Sequence, residues 1–161
     1  MQHNQHGHNG DEKPYLRLAV MIALSYVSMY VLMYAMVNTL GDVYNSMNQV
    51  YMAGLMTAPM VVIELLLMSG MYTNRRLNAM LLAGSCVAGI ASFLLIRQQV
   101  AISDRQFLRS MIPHHSGAIL MCEGATLQDQ RIKDLCKTIV AGQRSEIDQM
   151  RALLQERASA R

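Results

Sequence analysis

What is missing from this chain narrows it first. It has no phosphate-binding glycine loop, no recognisable nucleophile–base pair and no other catalytic motif, so it is expected not to be an enzyme. A formal charge of +3 over 161 residues, with no basic stripe, is too small to imply a nucleic-acid partner. Paired Cys-x-x-Cys spacing is absent, which argues against a classical zinc site, and so are the Glu-x-x-His pairs of di-iron bundles. No strand-like alternation appears, so the fold class is expected to be all-α. Charge itself is scarce: residues 18–37 carry none, while residues 98–161 hold 16 of the 25 charged side chains.

What is abundant is apolar sequence and methionine. Leu18–Val37, Val50–Tyr72 and Leu77–Ile96 each approach or exceed the ~20 residues that cross a hydrocarbon core. The first run is too long for a signal peptide and lacks a small-x-small cleavage site, so three membrane helices are expected. Lys13, Arg17, Arg75 and Arg76 flank one side of these spans and Arg97, Arg105 and Arg109 the other, where the short connection 38–49 has no Lys or Arg. Positive residues favour the cytoplasm in short loops. The N-terminus is therefore expected inside, the protein in the inner (cytoplasmic) membrane, and the C-terminal domain extracytoplasmic. The expected organisation is a His-containing flexible tail at 1–14, a membrane domain at 15–97 and a helical domain at 98–161.

Fifteen methionines are present, 11 of them from Met21 to Met80. Met52, Met56, Met60, Glu64 and Met68 recur every four residues and follow one slowly drifting helix face. Met29, Met33 and Met36 make a similar patch in the first span. These stripes fit either a thioether relay for Cu(I), gated by Glu64, or a Met-rich packing seam, since Met fills irregular gaps. Gly84, Ser85, Ala88, Gly89 and Ser92 in the third span permit close helix packing.

The chemistry concentrates in Met111-Ile112-Pro113-His114-His115, with Met121 and Cys122 following within two turns. Imidazole and thioether donors suit copper, above all Cu(I), better than they suit Mg²⁺ or Ca²⁺. Ser103 with Gln106 forms a capping box, so a helix is expected to start there, with Pro113 either kinking it or opening a new one. Gln128-Asp129-Gln130 is the expected turn, and Ile132, Leu135, Ile139, Ile147, Met150 and Leu154 mark a returning helix. Folding about residue 129 sets Cys122 level with Cys136, His115 with Gln143, and Met111 and Ile112 with Glu146. The cysteines then either close a disulfide or lend thiols to copper. Met111, His115 and Glu146 can approach one centre, with His114 beside it and Met150 one turn beyond; Met121 is assigned to a second site or to the core. The competing reading of His115 is a satisfied core histidine. A broad apolar face makes a homodimeric four-helix bundle an expected assembly.

Phe107, Met111-Ile112-Pro113-His114-His115, Ala118, Met121, Gln143, Glu146-Ile147 and Met150 together resemble the domain of unknown function 305 family, over about residues 103–155. The resemblance implies a ferritin-like helical fold and, for some members, periplasmic copper binding in copper tolerance. It makes Met111, His114, His115, Met121 and Met150 the candidate ligands, with Glu146 beside them. Three spans ahead of the domain favour a membrane-anchored receiver or donor of copper over a free shuttle. The remaining alternatives are a copper transporter working through the Met stripes and a structural helical interaction module. His3, His6 and His8 in the tail are either a further chelating segment or a disordered polar one.

Overall fold

The computed structural model describes residues 12–159, which leaves His3, His6 and His8 outside it. Five long helices account for most of the described residues: α1 (Glu12–Leu32), α2 (Met47–Leu67), α3 (Arg75–Arg97), α4 (Asp104–Gly124) and α5 (Gln130–Ser159). Short 3-10 turns at Met33–Met36 and Leu40–Asp42 lie between α1 and α2. Among the described residues there is no strand, and the fold is all-α. Three segments, Lys13–Met36, Met47–Leu67 and Arg75–Arg97, are long and apolar enough to cross a membrane.

The described residues divide into two compact units, 12–32 with 50–100 and 33–49 with 101–159. The first unit holds most of the apolar sequence. Leu18, Val61, Leu65 and Tyr72 form its buried cluster. Small residues set its α2–α3 spacing: a Cβ on Gly54 would lie 2.9 Å from Ser92 Oγ, and one on Gly89 3.2 Å from the Ala58 Cβ. Leu24, Val27, Val87 and Ile90 face outward, as lipid-facing positions require. Pro59 sits inside α2 without ending it. Its missing N–H would be hard to tolerate in an isolated helix, but neighbouring helices commonly support such a break in membrane proteins.

The second unit is a helical hairpin with a strap. The Ser103 side chain accepts from the Gln106 N–H and starts α4, as its capping sequence dictates. Pro113 lies within one continuous α4. That helix ends at Gly124, ahead of the expected turn at Gln128, and Ala125 is extended (ψ 134°). Asp129 then caps α5 by accepting from the Arg131 N–H at 2.8 Å. The Arg131 side chain also donates to Asp129, and this bonding holds the Asp129 carboxyl below its usual range. Leu108, Ile112, Ile119, Ile147 and Met150 form the α4–α5 core, with Ile112 wholly buried. Burying a side chain of that size contributes roughly 1.5–3 kcal/mol. Cys122 and Cys136 are joined as a disulfide across the hairpin, Cα–Cα 5.3 Å.

Residues 33–49 belong to this same unit, whereas the sequence alone presents 33–37 as the end of the first span and 38–49 as a polar connection. Asp42 explains why they dock. It is buried, and its carboxylate accepts from Ser116 Oγ (2.7 Å), Thr39 Oγ1 (2.9 Å) and the Arg151 guanidinium. Ser116 in turn accepts from the Asn38 N–H at 2.9 Å. At the other end of the strap, the Met47 N–H donates to Gln106 Oε1 at 3.0 Å, which satisfies an orphan donor in the first turn of α2.

Candidate functional site

The residues gathered around Pro113 separate onto two faces of α4. His115 points inward and Glu146 of α5 meets it, Nε2 to Oε2 2.7 Å. The His115 side chain is 11% exposed and that of Glu146 54%, so the contact lies at the edge of the hairpin core. His115 Nδ1 is 2.9 Å from the Met111 carbonyl oxygen. A carbonyl only accepts, so Nδ1 carries the proton there. In the neutral ring this leaves the Nε2 lone pair aimed at Glu146. A lone pair cannot bond to a carboxylate directly, so the 2.7 Å contact requires a proton shared between the two groups.

Met111 and Met150 complete this inner side. His115 follows Met111 by four residues, and Met150 follows Glu146 by four, so each pair shares a helix face. The hairpin is antiparallel, so the His115–Glu146 contact sets Met111 level with Met150. Met150 is buried in the core and Met111, half-buried, packs against that same core. Met111, His115, Glu146 and Met150 thus lie along one seam, with two thioethers, one imidazole and one carboxylate among them.

His115 meets Glu146 rather than the Gln143 reached by counting outward from residue 129. Helical side chains lean toward their own N-terminus. On antiparallel helices His115 leans away from the turn and Glu146 leans toward it, so residues nearly a turn apart in level come together. The same count does place Cys122 against Cys136.

His114 and Met121 lie elsewhere. Both are exposed, and the His114 ring stands edge-on to that of His115 with centroids 6.0 Å apart. Adjacent helical residues diverge by about 100°, so the two imidazoles address different surroundings. Among the described residues, no group of three or more His, Cys, Asp or Glu side chains is placed to share a metal ion. A site on the inner seam would therefore be built with thioether sulfur beside His115 and Glu146. Such a donor set fits a soft, thiophilic ion and does not fit Mg²⁺ or Ca²⁺.

In the first unit, Met52, Met56 and Met68 are exposed, so this stretch of the stripe lies on the outer side of α2. Glu64 is half-buried, and its Oε1 accepts from the Tyr72 hydroxyl at 3.2 Å. The residue that sequence reasoning missed is Asp42. Its signal was a lone acid in a polar connection with Gly41, which reads equally well as a solvated turn.

The sequence profile of the domain of unknown function 305 family matches residues 43–154. A relative, the uncharacterized protein L153 of Acanthamoeba polyphaga mimivirus, is 34% identical over 143 residues, covering 87% of this chain and 92% of its own length. No solved structure matches the chain. The profile takes in α2 and α3 along with the whole α4–α5 seam, and on that extent the chain belongs to the domain of unknown function 305 family.

Proposed function

We propose that this is a membrane-anchored copper-binding protein, holding Cu(I) through the C-terminal hairpin for tolerance, storage or handover, and doing no covalent chemistry. The observation that carries this reading is the orientation of His115. Metal-ligating histidines characteristically donate their second ring N–H to a carbonyl or carboxylate, which fixes the tautomer and aims the other nitrogen. His115 does this through the Met111 carbonyl, and Nε2 faces the α5 side chain it would share with an ion.

In this reading His115, Met111 and Met150 are the ligands, and Glu146 is the carboxylate that yields its place or turns to support the ring. Copper supplies an acceptor for thioether and imidazole lone pairs; the seam supplies soft donors that hard cations do not favour. The three apolar helices hold the hairpin at a membrane, proposed as the inner membrane with the hairpin on its outer face. The Cys122–Cys136 disulfide supports that side, because oxidising compartments are where such bonds persist. The exposed Phe107, Leu135 and Leu153 of the hairpin support a homodimer that pairs two hairpins into a ferritin-like four-helix bundle.

The test uses the full chain in detergent, because residues 33–49 are part of the compact unit that carries the seam. Cu(I) titration against a competing chelator is expected to show tight binding that His115→Ala weakens at least tenfold. Unchanged affinity in His115→Ala, or no binding by the parent chain, would remove the assignment.

A further inference from the structure

The turn end of the hairpin opens into a groove of about 580 Å³ between α4 and α5, and the Cys122–Cys136 disulfide forms part of its wall. Both cysteines are half-buried, so the bond borders the groove instead of being sealed in the core. Leu127 and Val140 supply apolar surface beside it. The charged part of the wall is unbalanced: Lys133, Lys137 and Arg144 stand against the one carboxylate of Glu123. Arg144 is bonded to Glu123 at 2.6 Å, and Lys137 to Asp134 at 2.8 Å. The Lys133 ammonium has no hydrogen-bond or ion-pair partner among the described residues.

We propose that this groove receives small thiols carrying an acidic group, and that they open the Cys122–Cys136 bond by exchange. A thiolate is the attacking species, so charge acts on its arrival and on the departure of the sulfur it displaces. An incoming anion is drawn by the cations of the wall. The two cysteines differ as leaving groups. Cys136 has Lys133 three residues before it on the same helix face and Lys137 next to it, whereas Cys122 is followed by Glu123. The incoming sulfur therefore bonds to Cys122 Sγ, the disulfide breaks, and its electron pair leaves on Cys136 Sγ as a thiolate beside the lysines. A second small thiolate then attacks the sulfur of the first. The small-molecule disulfide departs, and Cys122 is released as a thiolate. Two small thiols are thereby oxidised to one disulfide, and the hairpin gains two electrons and two protons. The chain is modified in this exchange and does not catalyse it. None of the five buried side chains of the α4–α5 core lines the groove, so opening the bond loosens the turn end and leaves that core in place.

No metal enters this inference, so it stands or falls apart from the copper reading. Its test uses the full chain in detergent, metal-free, with Cys86→Ala because Cys86 is the other thiol. Opening is followed by alkylation of the released thiols and mass spectrometry. Three thiols of one skeleton are compared, mercaptoethanesulfonate, mercaptoethanol and aminoethanethiol, each rate taken per thiolate and relative to an uncharged small-molecule disulfide. The sulfonate is expected to outrun the ammonium by about tenfold, with a gap that added salt narrows. Lys133→Gln with Lys137→Gln is expected to bring the three rates within about threefold. Arg105→Gln with Arg109→Gln removes the same charge about 20 Å away along α4 and is expected to keep the parent's order. Peptide mapping after an acid quench is expected to find the first adduct on Cys122. Rates that ignore thiol charge in the parent would overturn the proposal, as would a gap that persists in the lysine variant or closes equally in the arginine variant. A first adduct on Cys136 would overturn the direction of attack.

Discussion

Replacing Asp42 by Ala tests whether the strap is an integral part of the hairpin. Its carboxylate gathers Ser116, Thr39 and Arg151, and only 4% of the residue is exposed. Hydrogen bonds to a charged acceptor contribute about 1.5–3 kcal/mol each, and a buried hydroxyl left without its acceptor costs roughly 1–3 kcal/mol. Ser116 is wholly buried and cannot turn to water, so its penalty applies in full. Arg151 is 36% exposed and can be rehydrated, which discounts its share heavily. The net expectation is about 3 kcal/mol against docking of the strap, or on the order of a hundredfold in its opening equilibrium. Hydrogen exchange at the Asn38 amide reads this directly, since its partner is Ser116 Oγ. Asp42→Asn keeps an acceptor for Ser116 and is expected to show about a tenfold effect. Arg151→Leu leaves the buried carboxylate uncompensated, so adding Asp42→Asn to it should restore part of the loss. Exchange at Asn38 within threefold of the parent in Asp42→Ala would refute the role given to this ion pair.

Two further outcomes follow from the same unit. The Cys122–Cys136 bond spans a sequence separation of 14, for which loop-closure entropy gives about 3 kcal/mol. Cys122→Ser with Cys136→Ser should therefore lower the thermal midpoint of the hairpin by about 10 °C or more, followed by circular dichroism, and an unchanged midpoint would count against it. Gly117→Val places a branched side chain where even a Cβ lies 3.1 Å from the Met36 carbonyl, with an expected cost of about 1–3 kcal/mol. Faster exchange at Asn38 in that variant, with the α4–α5 amides unchanged, is the expected pattern; equal loosening of both helices would contradict it.

The parts of this fold that were legible in advance are those encoded over short stretches. Three apolar runs of spanning length are legible because length and composition over some twenty residues are read directly from the sequence. Ser103 announced its helix because a cap needs only one hydroxyl and one N–H three residues on. The cysteine pair could be placed by counting because equal distance from a tight turn means equal height. Counting set His115 level with Gln143 while leaving Glu146 within reach, and the lean of each helix moves the contact by nearly a turn onto Glu146. Asp42 was invisible for a different reason. Its partner Arg151 is 109 residues away, and no periodicity links a single acid to a single base over that distance. Met150 shows the limit of composition: the thioether proposed as a ligand is also one of the five buried side chains of the hairpin core.

The strap also bears on topology. Residues 33–49 and 101–161 share one core, one buried carboxylate and one set of caps, so they must lie in the same aqueous compartment. Exactly two helices of spanning length, α2 and α3, separate them. A chain that leaves a compartment through one helix returns to it through the next, so the parity agrees with both helices crossing. By the same parity α1 starts on the opposite side, together with the α2–α3 turn. That side carries Lys13, Arg17, Arg75 and Arg76, while the hairpin side has Arg97, Arg105 and Arg109 near the end of α3 but no Lys or Arg in residues 38–49. The charge in the short loops supports the proposal that this opposite side is the cytoplasm. Under that proposal, residues 33–36 follow α1 on the same side as the hairpin with which they form one compact unit.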